Sequence, residues 1–149
     1  DYVWKLFSAN THTMILTFSD RGKLYWTKVH ELPQGSRTSK GKAINNVVQL
    51  ASAENVRAIL PVEEFKPENY VVMLTEKGTI KKTSLEAFSR PRPSGLIALT
   101  IDLEDNLIEA KLSGGKDDIF IVTKDGMSIR FDEDEVRAMG RAARGVKGV

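Results

Sequence analysis

Three segments set arginine and lysine beside glycine in a way suited to gripping phosphate: Arg37-Thr-Ser-Lys-Gly41, Arg90-Pro-Arg-Pro-Ser-Gly95 and Arg141-Ala-Ala-Arg-Gly145. A guanidinium presents a planar fork that matches two phosphate oxygens, whereas a lysine ammonium acts as a mobile point charge. A neighbouring glycine lets the backbone approach a phosphate chain and donate N–H groups to it. Arg37, Arg90, Arg92, Arg141 and Arg144 are the forks on this reading, with Lys40, Lys42 and Lys147 as point charges. Lys28, Lys81, Lys82, Arg130 and Arg137 add cationic positions on or beside the flanking strands. A duplex is a dense line of phosphates, and each one neutralised releases condensed counterions, so a surface of this kind binds without reading bases.

A formal net charge of +2 over 149 residues is too small to point to nucleic acid by itself. Its distribution carries more. Residues 21–42 hold Arg21, Lys23, Lys28, Arg37, Lys40 and Lys42 against Glu31 alone, and residues 54–76 reverse the balance with Glu54, Glu63, Glu64, Glu68 and Glu76. The swing recurs from Lys77–Arg92 to Asp102–Asp118. In a repeat architecture, features at one place in each repeat fall on one side of the assembly, so this alternation becomes a basic stripe in space.

Other chemistry finds little support. No serine, histidine and acid constellation, phosphate loop or carboxylate pair in a discernible pocket points to catalysis. His12 and His30 lack a convincing third metal ligand, and the acidic runs Asp102–Asp105 and Asp132–Glu135 lack the spacing of a calcium loop. With no cysteine, disulfides and thiolate metal sites are excluded. No apolar segment approaches the length of a membrane span, so a soluble location without a membrane partner is expected, and the lack of cysteine fits a reducing cytoplasm.

The elements that position the basic segments repeat as well. Beginning at Thr13, Asn69 and Asp118, an apolar run is followed by a polar pair, a glycine, a second strand-like run, an acidic and apolar patch, and the basic loop. The turn glycines Gly22, Gly78 and Gly126 lie 56 and 48 residues apart, the spacing of sheet blades in a toroidal array. Asp-Arg-Gly, Glu-Lys-Gly and Lys-Asp-Gly between runs rich in Val, Ile, Phe and Tyr predict hairpins, because a tight turn needs the positive φ of glycine. Two more strands are read in each of the first two repeats, Ala43 to Leu50 with Val56 to Val62, and Leu96 to Asp102 with Leu107 to Leu112. Four strands per repeat is the count of a propeller blade. Leu32, Phe88 and Val136, each ten residues after a turn glycine, suit plugs at the blade ends. Only Asp134 to Met139 reads as a turn of helix. The predicted fold is therefore all-β, with propeller-like blades of four antiparallel strands over residues 10–62, 67–113 and 117–149. Residues 1–9 read as the last strand of a preceding blade.

These residues resemble the C-terminal domain of DNA gyrase A, the β-pinwheel of bacterial type IIA topoisomerases. The pieces that carry the resemblance are Thr11-His12, Ile15–Tyr25, Ser36–Gly41, Gly95–Leu99, Val122–Met127 and Ile129–Phe131 running into Val136–Gly148. It covers essentially the whole chain and implies a single partial pinwheel domain, about three blades of a roughly six-bladed whole. It also implies a non-catalytic module that wraps double-stranded DNA without strong sequence preference, directing strand passage and negative supercoiling. The expected partners are the rest of gyrase A, together with gyrase B, in an A2B2 enzyme. The resemblance places ATP and Mg2+ in other domains or other polypeptides of that enzyme, with no cofactor here. One departure concerns the family's glutamine-, arginine- and glycine-rich box: Ser36–Gly41 and Arg141–Gly145 occupy comparable loops but lack its consecutive glycines. The related C-terminal domain of the topoisomerase IV counterpart of gyrase A is one alternative, and a propeller serving as a protein-interaction platform is the other.

Overall fold

The computed structural model describes residues 3–41, 44, 48, 50, 53–140 and 145–147. Three hairpins set the frame: β1 (Met14–Ser19) with β2 (Lys23–Lys28), β4 (Tyr70–Thr75) with β5 (Thr79–Ser84), and β8 (Asp118–Val122) with β9 (Ser128–Asp132). Each turns through its expected glycine, Gly22, Gly78 or Gly126, at φ of 81°, 90° and 88°. A hydroxyl three residues earlier supports every turn. Ser19, Thr75 and Thr123 accept, through their side-chain oxygens, the N–H of Lys23, Thr79 and Met127. A short 3-10 turn follows each hairpin, at Val29–Glu31, Leu85–Phe88 and Glu133–Glu135. Its first N–H returns to the residue before the hairpin, Thr13, Asn69 or Asp117. The helical turn expected from Asp134 to Met139 is this 3-10 turn, ending at Glu135.

β3 (Val56–Val62) pairs antiparallel with β1, and β7 (Leu107–Ser113) with β4, each with a register shift at the end nearest the hairpin turn. The fourth strand of each sheet comes from the next repeat. β6 (Leu96–Ile97) pairs with β2 and β10 (Val146–Lys147) with β5, giving the orders β3-β1-β2-β6 and β10-β5-β4-β7. This corrects the expectation that each blade is built from its own repeat. The predicted strand from Leu96 to Asp102 is only two residues long, because the N–H groups of Ala98 and Leu99 both turn onto the Gly22 carbonyl. The strand expected over Ala43 to Leu50 lies almost wholly outside the described residues. Among the described residues, 3–9 pair with no strand, and Val3, Trp4 and Leu6 stand exposed; a strand exists only where a neighbour completes its hydrogen bonds.

The main core lies between the first two sheets, with β3 against β7. Leu16, Phe18, Leu24, Ala58 and Leu60 meet Val71, Met73, Leu85, Phe88 and Leu107 there. Phe88 stands edge-on to Phe18, so it plugs the joint with the preceding sheet rather than its own blade end. Val136 does the same against Ile80 and Ile121 at the second joint. Polar ties add to this packing. The Arg21 guanidinium donates to the carbonyl of Asp105 and the side chain of Asn106, and Asp20 accepts from Asn55. Burial works against the Asp105 carboxylate, but hydrogen bonds from Thr75 and the N–H groups of Lys77 and Asn106, with the Lys77 charge, hold it below its usual range.

Candidate nucleic-acid interface

Two basic closing loops dock in the same way. After Arg90 and Arg92, the chain passes Gly95 at φ 83° and lays β6 along the outer edge of β2; after Arg137, it passes Gly145 at φ 89° and lays β10 along β5. A Cβ on Gly95 would lie 2.8 Å from the Tyr25 ring, and one on Gly145 would lie 2.5 Å from the Ile80 carbonyl oxygen. Both glycines are therefore fixed by close approach as well as by φ. Tyr25 is itself anchored, its hydroxyl donating to Glu54 Oε1 at 2.6 Å. Burial, that hydrogen bond and the Glu54 charge keep its phenol protonated well above the ordinary range.

This docking carries cations from different repeats to one place. Lys28 of the first repeat and Arg92 of the second line a single cleft of about 320 Å³ with Met14, Trp26, Glu31, Pro91 and Pro93. Both cations are exposed. Trp26 forms the wall and is pinned by its indole N–H to the Phe88 carbonyl at 2.8 Å, so it serves packing. Pro91 and Pro93 restrict the backbone on either side of Arg92 and reduce what that segment loses on binding. Arg37 and Lys40 are exposed on a compact turn in which Ser36 and Ser39 bond one another, and Gly41 has open space around it. Arg90, Arg137 and Lys147 are exposed too, Lys147 on β10 in a small hollow with Thr79, Asp102 and Asp105.

Three of the expected positions lie away from an exposed closing loop. Lys81 and Lys82 are buried, 0% and 5% exposed. They lie on β5, an inner strand of the second sheet, which has a sheet on either side, so both of its faces are covered. Lys81 Nζ donates to the Ala98 carbonyl at 2.6 Å, and burial lowers its pKa to about 8. Lys82 Nζ sits 3.6 Å from Glu133 and 4.7 Å from the centre of the Tyr70 ring. Neither side chain is presented at the surface. Arg130 is exposed but lies on a strand of the third hairpin, beside Asp118 at 3.8 Å. Lys42, Arg141 and Arg144 fall outside the described residues. Residue types alone missed Lys23, whose Nζ donates to the Ser94 carbonyl and ties the second closing loop to the first sheet. Its place directly after the turn glycine was the available signal.

Stacked four-stranded antiparallel sheets, each completed by the loop of the following repeat and edged with cations, define a propeller-type module of the β-pinwheel kind. The family model for the DNA gyrase C-terminal domain, beta-propeller, matches residues 13–63, 69–112 and 117–149. The DNA gyrase A protein of Haemophilus influenzae is 47% identical over 149 residues, all of this chain and 17% of that protein. Its Clostridium acetobutylicum counterpart is 41% identical over 148 residues, 99% of this chain and 18% of its own length. Among solved structures, the C-terminal domain of DNA topoisomerase IV aligns with TM-score 0.85 at 31% identity, covering 93% of this chain and 43% of that one. The DNA gyrase A C-terminal domain aligns at 0.76 and 22%, covering 95% and 44%. The chain belongs to the DNA gyrase C-terminal domain family.

Proposed function

We propose that this chain is a non-catalytic DNA-binding and DNA-wrapping module of DNA gyrase A, a type IIA topoisomerase component of the bacterial cytoplasm. Duplex runs along the outer sheet edges and bends from one closing loop to the next, presenting a neighbouring segment for strand passage and negative supercoiling. Cleavage, ATP and Mg2+ belong to other parts of gyrase A and to gyrase B in an A2B2 assembly. The observation that carries this reading is the docking of the Gly95 loop on the first sheet, which lines one cleft with the exposed Lys28 and Arg92 and is matched by the docking after Gly145 on the second sheet. Bending a site of 20–30 base pairs by 40–90° costs on the order of 1–6 kcal/mol, so several loops must grip together.

The test is duplex binding across a salt series. Affinity is expected to be independent of sequence and to fall by roughly 0.9 log units per log unit of salt for each phosphate neutralised. Replacing Lys28 and Arg92 by alanine is expected to lower that slope by roughly 1.8, at an unchanged melting temperature. Salt-insensitive or absent binding would instead favour the protein-interaction platform. The topoisomerase IV reading draws on the 0.85 alignment, against 41–47% identity to gyrase A proteins. Negative supercoiling of a relaxed circle by the intact assembly separates those two.

A further inference from the structure

The two joints between sheets are built from different chemistry at equivalent positions. Four residues after the turn glycine stand Trp26 in the first repeat and Lys82 in the second; seven residues after it stand Leu85 in the second and Glu133 in the third. The first joint thus brings Trp26 and Leu85 to one apolar core. At the second joint, the same two places hold a buried cation and a fully buried carboxylate.

Glu133 is bonded from several sides. Its Oε2 accepts from the Ser113 hydroxyl at 2.7 Å and lies 3.6 Å from Lys82 Nζ, while Oε1 accepts the Asp117 N–H at 3.0 Å. Lys82 Nζ also donates to the Glu133 carbonyl at 3.3 Å and lies over the Tyr70 ring. The node therefore gathers β4, β5 and β7 of the second sheet onto the start and end of the third hairpin. On the same strand, the Lys82 carbonyl accepts the Met139 N–H at 2.7 Å, and Lys82 bridges to Ala138. Arg137 directly precedes that point in the chain.

Apolar packing tolerates sliding, whereas a buried ion pair with directed hydrogen bonds holds one arrangement. We propose that Glu133 and Lys82 are positioning residues for DNA: they fix the angle of the third sheet to the second, and with it where Arg137, which follows the third hairpin, meets the duplex. This rests on the DNA-wrapping reading for its consequence but not for its geometry. Neither residue touches DNA.

The experiment uses the intact polypeptide. Spin labels at Glu86→Cys and Asp125→Cys, both exposed sites, with any cysteine elsewhere in the polypeptide replaced by serine, report the distance between second and third repeats. The double variant Lys82→Met/Glu133→Leu gives the second joint the apolar character of the first and keeps a folded chain available if Glu133→Gln alone does not fold. Expected in the double variant are a broadened or shifted label distance and a smaller duplex bend by end-to-end energy transfer. The salt slope is expected to fall by no more than the Arg137 contact, roughly 0.9, because the other loop cations are untouched and Lys82 is buried. An unchanged distance and bend in a folded double variant would overturn the proposal. If the parent protein neither binds nor bends duplex, the wrapping reading fails, and the label distance alone still decides whether the pair sets the sheet angle.

Discussion

Lysine at neighbouring positions 81 and 82 shows how little a residue type says until its surroundings are known. Lys81 keeps its charge at neutral pH against burial that lowers its pKa from 10.5 to about 8. Between about 8 and 10.5 the unfolded chain binds more protons than the folded one, so stability rises with pH through that window. Below it the burial cost is present in full. Denaturant unfolding from pH 7 to 9.5 is expected to show a gain on the order of 1–2 kcal/mol, which Lys81→Met removes. The upper limit matters because Tyr25, whose pKa is raised, contributes in the opposite direction once unfolded tyrosine ionises near pH 10. The cationic loops and turn glycines were legible from residue type and spacing. The burial of Lys81 and Lys82 was not, since it follows from a sheet packed on each face of β5, and local sequence carries no mark of a second neighbour.

Hairpins are short-range objects, and the sequence spelled them out through glycine and alternating apolar residues. β6 and β10 are two residues long and pair across repeats, so no periodicity announces them. Their determinant is the glycine before each. Gly145→Ala would place a methyl group against the Ile80 carbonyl in a backbone region that L residues resist, and a loss of about 2–4 kcal/mol in unfolding free energy is expected by denaturant titration. Gly126 has nearly the same φ but open space around it, so Gly126→Ala is expected to cost only about 1 kcal/mol. Equal losses would show that φ alone matters at the closing loops.

Across the whole molecule the sheets are unequal. Among the described residues the third consists of β8 and β9, with Phe120, Val122 and Met127 each more than half exposed. Each of the two complete sheets borrows its outermost strand from polypeptide made later. During synthesis, then, each waits for the repeat behind it before it can close, and consolidation trails the ribosome by a full repeat. The units cannot be shuffled or excised singly as in arrays whose members are self-sufficient: deleting one both removes its own hairpin and strips the finishing strand from its elder neighbour.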